Sequence, residues 1–152
     1  MNIEKRIDPK SNRPLKAFKK ALPKGLNGIK DIKKRREILR ENVQKMKEIF
    51  PPSPNVLREN HFTKRKEGEG ELKLRSYRPK DKEGVLPCLY YIHGGGMIMG
   101  TVENDDVNAS RLSEQLGVVV ISVDYRLAPE NPHPAQIKDC YEGLLWMESQ
   151  KE

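Results

Sequence analysis

Two short runs of apolar residues, 86–92 and 118–123, constrain the fold of this chain more than any other feature. Nearly every position in both runs is apolar, as in strands that are covered on both faces of a parallel sheet. The segment between them has an acidic first turn that can cap a helix, a helical apolar stripe and a terminal glycine. These signals are Asn104, Asp105 and Asp106 for the cap, Ala109, Leu112 and Leu116 for the stripe, and Gly117 for the end. The pattern predicts a strand, a helix and a second, parallel strand.

The segments on either side of this unit complete a core. Residues 56–66 and 71–77 alternate between apolar and charged positions and have glycines between them, which predicts two antiparallel strands near a sheet edge. A further helix is predicted from Pro134 and Ala135 onward. Its predicted apolar side consists of Ile137, Cys140, Tyr141, Leu144 and Leu145. Residues 53–152 therefore predict an α/β core in which antiparallel edge strands precede a mostly parallel sheet.

The first 52 residues differ from this core in charge. Residues 1–47 contain 16 lysines and arginines against 5 aspartates and glutamates, whereas the whole chain has a net charge of +7. Prolines and glycines predict at most short helices over residues 1–28. Apolar residues at helical spacing then predict one amphipathic helix that ends at Pro51 and Pro52. These apolar residues are Ile32, Leu39, Val43, Met46 and Phe50. Residues 1–52 are thus predicted to form a basic, helical, cap-like segment.

The basic segment suits nucleic acid, an anionic membrane or simple exposure to water. Phe18 is its one aromatic residue before Phe50, and it contains no motif for binding DNA or RNA, so a solvated helical face is favoured. No apolar stretch approaches the roughly 18 to 20 residues of a membrane span. Residues 1–6 are not followed by the apolar run of a secretory signal. We expect a cytoplasmic protein that neither binds nucleic acid nor spans a membrane.

The chain has two cysteines, Cys88 in a predicted strand and Cys140 in a predicted helix. Two cysteines are too few to form a disulfide framework or a metal site in a chain of this size. We expect both to be buried, reduced thiols, and we expect no metal.

The strongest chemical signal is the run His93, Gly94, Gly95 and Gly96, which follows the first apolar strand. Consecutive glycines leave backbone N–H groups accessible because no Cβ atom blocks a close approach. A loop of this kind, between a strand and a helix, forms part of the oxyanion hole in lipases and esterases. A simple glycine turn explains the same four residues equally well.

A second motif, Asp-Tyr-Arg-Leu-Ala-Pro-Glu over residues 124–130, distinguishes these alternatives. Together with His-Gly-Gly-Gly-x-x-x-Gly over residues 93–100, it resembles the hormone-sensitive-lipase-like family of α/β-hydrolases, which includes carboxylesterases and acetyl esterases. The resemblance extends over roughly residues 86–147. It implies the N-terminal portion of the α/β-hydrolase fold and the activity of a carboxylic ester hydrolase. It also implies a small acyl ester as substrate and no organic cofactor.

The resemblance implies roles for individual residues. The oxyanion hole would consist of Gly94, Gly95 and Gly96, in which the N–H groups of the last two point at the oxyanion. The loop would be braced by His93 and Gly100, and the histidine would not act as a general base. The residues that line an acyl pocket, or only pack under the loop, would be Met97, Ile98 and Met99. The loop after the second strand would be held, by hydrogen bonds and an ion pair, through Asp124, Tyr125, Arg126 and Glu130.

The catalytic serine, acid and histidine of the family have no counterpart in this sequence. None of its serines lies in a G-x-S-x-G motif, and His61 and His133 match no catalytic position. We therefore expect an N-terminal piece of an esterase, from a truncated gene, a split gene or an incomplete sequence, that is inactive alone. Its first parallel strand would be an exposed apolar edge, open to a complementing chain. The alternative is a non-catalytic protein that binds a partner through the basic helix or the open sheet edge.

Overall fold

The computed structural model describes residues 6–21, 25–68 and 70–150 of the 152-residue chain. The chain divides into two compact units, residues 1–35 and residues 36–152, and each is described by itself. In the first unit, α1 spans Pro9–Ala21, so the expectation of at most short helices over residues 1–28 was wrong. The carboxylate of Asp8 accepts hydrogen bonds from two N–H groups of its first turn. The domain boundary after residue 52 stays a prediction.

The predicted amphipathic helix before the two prolines is α2, which spans Ile32–Ile49. Asp31 caps it, since its carboxylate accepts the N–H of Lys33 at 2.8 Å. The apolar stripe is only partly covered, because no residue of α2 is buried and Met46 is 52% exposed. None of the helices in the described residues is long and apolar enough to cross a bilayer.

The second unit contains a four-stranded sheet with the strand order β1-β2-β4-β3. Its strands are β1 (Val56–Lys64), β2 (Glu71–Pro79), β3 (Cys88–Ile92) and β4 (Val119–Asp124). β1 pairs with β2 and β2 pairs with β4 in antiparallel fashion, whereas β3 and β4 are parallel. The predicted α/β class is confirmed, with the antiparallel strands preceding a strand-helix-strand unit. Two of the three pairings in the described sheet are antiparallel, so this sheet is mixed rather than mostly parallel, because it contains only one pair of parallel strands. Of the two strands predicted near an edge, only β1 lies at one, because β2 lies between β1 and β4.

Helices cover both faces of this sheet. Alternate residues of a strand point to opposite faces, and two apolar cores follow from that alternation. In one core, Leu74 and Val123 pack with Trp146 and Met147 of α4, which spans Ala135–Ser149. In the other, Val120 packs with residues of α3, which spans Asp106–Leu116. A three-layer α/β/α arrangement results. The helix α3 ends as predicted at Gly117, whose φ of 66° is left-handed.

Three of the five residues on the predicted apolar side of α4 are exposed in the described structure. Ile137, Tyr141 and Leu144 are 52%, 60% and 39% exposed. The helix instead turns Gln136, Asp139 and Gly143 inward. The physical reason is close packing at the glycine, because a Cβ on Gly143 would lie 2.3 Å from the hydroxyl of Tyr90.

The strand β3 is an edge of the sheet, and it begins at Cys88 rather than at residue 86. Cys88 is exposed and Cys140 is half-buried, so the expectation of buried thiols was wrong for Cys88. Ile92 at the other end of β3 is 53% exposed. The predicted exposed apolar edge is therefore present in the described sheet.

A cluster of charges fixes the start of α3 beside β2. The carboxylate of Asp106 accepts hydrogen bonds from Lys47 at 2.6 Å, Arg75 at 2.7 Å and Tyr77 at 2.8 Å. Burial alone would raise the pKa of Asp106, but these three hydrogen bonds outweigh burial and lower it. Asp106 is thus an ionised centre to which α2, α3 and β2 are tied.

Candidate functional site

The glycine loop, residues 93–100, follows the carboxyl end of β3, where open α/β sheets bind their ligands. Two close approaches of the backbone explain its glycines. A Cβ on Gly95 would lie 2.0 Å from the carbonyl oxygen of Met99, and a Cβ on Gly100 would lie 2.4 Å from Nδ1 of His93. Both residues also have positive φ, at 127° and 99°. The fold of this loop therefore excludes side chains at these two positions.

Two backbone carbonyl groups of the glycine loop accept hydrogen bonds from other residues of the same loop. The Gly94 carbonyl accepts a hydrogen bond from Nδ1 of His93 at 2.8 Å. The Gly95 carbonyl accepts the N–H groups of Ile98 and Met99 at 3.2 and 3.1 Å. Both acceptors belong to trans peptide units, in which C=O and the following N–H point in opposite directions. Fixing these carbonyls therefore fixes the directions of the Gly95 and Gly96 N–H groups.

The Gly95 and Gly96 N–H groups have no hydrogen-bond acceptor among residues 6–21, 25–68 and 70–150. They border a cavity of about 460 Å³. Its apolar wall consists of Ile92, Met97, Tyr125, Ile137 and Cys140. A pair of oriented donors beside an apolar space suits a small ligand that carries an oxygen with negative charge.

His93 is buried, and both its ring and its backbone carbonyl are held by neighbouring groups. It is 3% exposed, and its ring stacks on that of Tyr125 with centroids 4.0 Å apart. The hydroxyl of Tyr125 donates to the His93 carbonyl at 2.9 Å. Burial raises the pKa of Tyr125 to about 12, so this donor keeps its proton at neutral pH. His93 is thereby clamped through both its ring and its backbone.

Only one of the three residues suggested for an acyl pocket lines the cavity at the glycine loop. Met97 lines the cavity and is 45% exposed, whereas Ile98 and Met99 are half-buried and do not contribute to its lining. Both alternatives for these residues, lining an acyl pocket or packing under the loop, stay predictions.

The loop after β4 is fixed by four predicted residues that use different partners. Asp124 accepts the N–H of Val102 at 3.1 Å, and burial raises the pKa of this carboxyl. Arg126 binds the fully buried Asp139 through its guanidinium at 2.7 Å and through its backbone N–H at 2.8 Å. Arg126 and Glu130 therefore belong to separate ion pairs. Tyr125 reaches back to the glycine loop, as described above.

The partner of Glu130 is Arg36 on α2, a residue that sequence reasoning missed. Its guanidinium contacts both oxygens of the carboxylate, at 2.8 and 2.9 Å. It also donates to the carbonyls of Ile98 at 2.8 Å and Ala128 at 2.7 Å. Because these partners lie 62 to 94 positions away and Arg36 sits among other basic residues, no local pattern marks it.

The described residues contain no complete nucleophilic site. Ser76 lies 2.8 Å from Nε2 of His61, but the pair borders a different cavity, near the amino ends of β3 and β4. Cys140 lines the cavity at the glycine loop, yet burial and the charge of Asp139 raise its pKa to about 11. It is thus a thiol, not a reactive thiolate, at neutral pH. No group of three or more described His, Cys, Asp or Glu side chains is arranged to bind a metal.

The chain is similar in sequence and fold to several known proteins. Residues 89–152 match a family described as alpha/beta hydrolase fold. The carboxylesterase NlhH of Mycobacterium tuberculosis is 34% identical over 114 residues, which are 73% of this chain and 34% of that protein. The solved hyperthermophilic esterase of Pyrobaculum calidifontis is 34% identical, with a TM-score of 0.73, and the match covers 84% of this chain and 41% of the esterase. A solved arylesterase is 28% identical with a TM-score of 0.79, over 95% of this chain and 45% of its own.

These proteins are all longer than the matched segment. The chain spans about a third of the length of NlhH and less than half of either solved structure. The similarity is to the N-terminal part of a hormone-sensitive-lipase-like carboxylesterase.

Proposed function

We propose that this chain supplies the oxyanion-binding part of a carboxylic ester hydrolase, since residues 89–152 match a family described as alpha/beta hydrolase fold. The observation that carries the proposal is the pair of N–H groups of Gly95 and Gly96, which lack an acceptor among the described residues. Their directions are fixed because the carbonyl of each peptide unit accepts a hydrogen bond from within the loop. In ester hydrolysis the carbonyl oxygen of the substrate becomes negatively charged in the tetrahedral intermediate. The two N–H groups would stabilise that charge.

The nucleophile, the acid and the base would come from a segment outside these 152 residues. No serine here lies in G-x-S-x-G, so the proposed mechanism needs a serine, an acid and a histidine from elsewhere. The residues present would bind and polarise a small acyl ester, with the acyl group beside Met97 and Ile137 in the apolar cavity. No metal or organic cofactor takes part in this chemistry.

The surface for the missing segment would be the edge of β3 together with the outer side of α4. The edge offers unpaired backbone groups for another strand. Ile92, Ile137 and Tyr141 beside it are each more than half exposed, at 53%, 52% and 60%. An added strand and helix would cover these side chains and place a nucleophile beside Gly95 and Gly96. The segment could belong to the same polypeptide or to a complementing chain.

Activity tests this proposal directly. The 152-residue chain alone is expected to leave p-nitrophenyl acetate unhydrolysed. Joined to the part of the Pyrobaculum calidifontis esterase that follows the matched region, it is expected to hydrolyse that ester. Gly95→Ala should then lower the rate by roughly 10² to 10³, since the added Cβ would meet the Met99 carbonyl.

Gly84→Ala is the matched control for that substitution. Gly84 also has a positive φ, 71°, but no heavy atom lies within 4 Å of its added Cβ. Its replacement should leave the rate within twofold of the unsubstituted protein. Hydrolysis by the joined protein that Gly95→Ala leaves unchanged would refute the oxyanion role.

Exposure of the β3 edge and of α4 also supports a second candidate, a protein that binds a partner without catalysis. It predicts a stoichiometric complex on size exclusion and no ester hydrolysis in that complex.

A cytoplasmic location is also proposed, because Cys88 and Cys140 are both free, as is usual in a reducing compartment. Cell fractionation tests it.

A further inference from the structure

Arg36 on α2 is the one described side chain that donates a hydrogen bond to the Ile98 carbonyl. Through this hydrogen bond, Arg36 is linked to further residues of the glycine loop. The Nε–H of Arg36 donates to this carbonyl at 2.8 Å, and the guanidinium is mostly shielded, with the side chain 19% exposed. Hydrogen bonds from a charged donor are shorter and stronger than neutral ones. Arg36 therefore fixes the orientation of the Ile98–Met99 peptide unit.

That peptide unit is linked to a proposed oxyanion donor through one more hydrogen bond. The N–H of Met99 donates to the Gly95 carbonyl at 3.1 Å. The Gly95 carbonyl shares its peptide plane with the Gly96 N–H, and the two point in opposite directions. A continuous series thus runs from the Arg36 guanidinium through two peptide units to the Gly96 N–H.

The series affects the strength of the donor as well as its direction. Each hydrogen bond in a chain polarises and strengthens the next, by about 10–30% per bond. Because the positively charged guanidinium of Arg36 donates to the Ile98 carbonyl, the N–H of Met99 in the same peptide unit becomes a better donor. The Gly95 carbonyl is polarised in turn, and the Gly96 N–H gains positive character where an oxyanion would lie.

The guanidinium itself is fixed by two other partners. It binds both oxygens of Glu130 and the carbonyl of Ala128, as described above. The N–H of Ala128 in turn donates to the Met97 carbonyl at 2.9 Å. Several planar donors are needed to satisfy these acceptors together, so a lysine ammonium cannot replace them.

The other proposed donor is controlled separately. The Gly95 N–H belongs to the peptide unit whose carbonyl is held by His93, at 2.8 Å, and Arg36 does not contact that carbonyl. The two donors therefore have separate supports. The Gly95 N–H depends on His93, whereas the Gly96 N–H depends on the N–H groups of Ile98 and Met99 and, through Met99, on Arg36.

We propose that Arg36 is a positioning residue that orients and polarises the Gly96 N–H as an oxyanion donor. The inference rests on the proposed function for its catalytic meaning. The physical link from Arg36 to Gly96 can be tested without any reaction.

The test is NMR spectroscopy of the ¹⁵N-labelled 152-residue chain with Arg36→Ala, Arg36→Lys and Arg40→Ala. Arg40 is exposed on the same helix and is the matched control. For Arg36→Ala we expect the Gly96 amide resonance to shift and amide exchange at Ile98 and Met99 to accelerate roughly tenfold. Arg36→Lys should give an intermediate effect, because it keeps the charge and loses the fork. The Gly95 resonance should stay in place in both.

Two outcomes would overturn the inference. One is an unchanged Gly96 resonance in Arg36→Ala with the loop still folded. The other is an equal change at Gly95, Gly96 and distant strands, which would show general loss of structure, and a lowered urea midpoint would identify it. Failure of ester hydrolysis in the joined protein would refute the proposed function and leave these spectra as they are, so the two failures are distinguishable.

Discussion

Two regions of the second unit differ in how completely their apolar side chains are buried and their polar groups are hydrogen-bonded. In the closed region, where α3 packs on β2 and β4, Tyr77, Ala109 and Val120 are fully buried. In the open region, formed by the edge of β3, the glycine loop and the outer side of α4, Ile137 and Tyr141 are 52% and 60% exposed. The apolar side chains of the closed region are buried by residues of this chain. The open region has exposed apolar side chains and backbone N–H groups without an acceptor among the described residues.

The polar groups of the closed and open regions differ in the same way. In the closed region the buried carboxylate of Asp106 has three hydrogen-bond donors of its own chain. In the open region the Gly95 and Gly96 N–H groups find no acceptor among the described residues, although their peptide planes are held firmly. Rigid orientation combined with missing partners is typical of a binding site, since an unsatisfied donor is costly unless a ligand satisfies it.

The largest effect should come from breaking the closed region at Asp106. Asp106→Ala removes the common partner of Lys47, Arg75 and Tyr77, and it leaves two positive charges in a mostly shielded site. Removing one partner of such a buried cluster typically lowers the free energy of unfolding by about 3–5 kcal/mol. Urea denaturation followed by circular dichroism measures it.

Asp81→Asn is the control for that measurement. Asp81 is exposed in the turn after β2, so its replacement should change the free energy of unfolding by no more than about 0.5 kcal/mol. Equal effects of the two substitutions would show that the closed region does not depend on its charged centre.

The next effect should come from Gly143→Ala, at the contact between α4 and the sheet. The new Cβ would lie 2.3 Å from the Tyr90 hydroxyl and 3.2 Å from side chains of Leu74 and Val123. Overpacking of this kind costs about 1–3 kcal/mol of unfolding free energy. It would also displace the helix that forms one side of the cavity.

Tyr90→Phe makes this prediction specific. Alone it should cost about 1 kcal/mol, because the tyrosine hydroxyl donates to the Cys140 carbonyl at 2.7 Å. In the Tyr90→Phe background the alanine should cost less than in the wild type, since the closest clashing atom is gone. Additive costs in this double-mutant cycle would place the clash elsewhere.

A smaller effect is expected from acid, and it should act mainly on the closed region. Glu103 is desolvated, which would raise its pKa, but hydrogen bonds from Lys73 and its own backbone outweigh burial and lower the pKa from 4.5 to about 2. The pKa of Asp106 is lowered as well. A carboxyl with a lowered folded-state pKa stabilises the fold above its unfolded pKa, and the stabilisation is lost as pH falls through the folded value.

We therefore expect the urea midpoint to fall as the pH drops from about 4.5 towards 2. Asp124 acts in the opposite direction, because burial raises its pKa and its protonated form favours folding. Asp106→Asn should flatten the acid dependence. If the urea midpoint of Asp106→Asn fell as steeply with pH as that of the wild type, the acid sensitivity would come from other carboxylates.

The sequence predicted the closed region better than the open one, for a physical reason. The apolar runs, the helix between them and Gly117 are local patterns of burial and backbone geometry, and β4 and α3 form close to where they were predicted. The exposure of the apolar side of α4 was not predicted, because a hydrophobic stripe does not show whether another segment covers it. Arg36 was missed because two of its acceptors are backbone carbonyls, which leave no trace in the side-chain pattern, and because the third, the Glu130 carboxylate, lies 94 positions away.

The smallest effect on stability should come from the open region itself. Ile137→Ser with Tyr141→Ser replaces two exposed side chains on α4, and the free energy of unfolding should change by no more than about 0.5 kcal/mol. The same double substitution should reduce self-association at high protein concentration in sedimentation velocity, because exposed apolar groups beside a free strand edge promote it. Leu116→Ser is the control, since Leu116 is 58% exposed on α3 in the closed region. If both variants associated alike, the apolar side of α4 would be ordinary surface, and the open region would reduce to the glycine loop and the β3 edge.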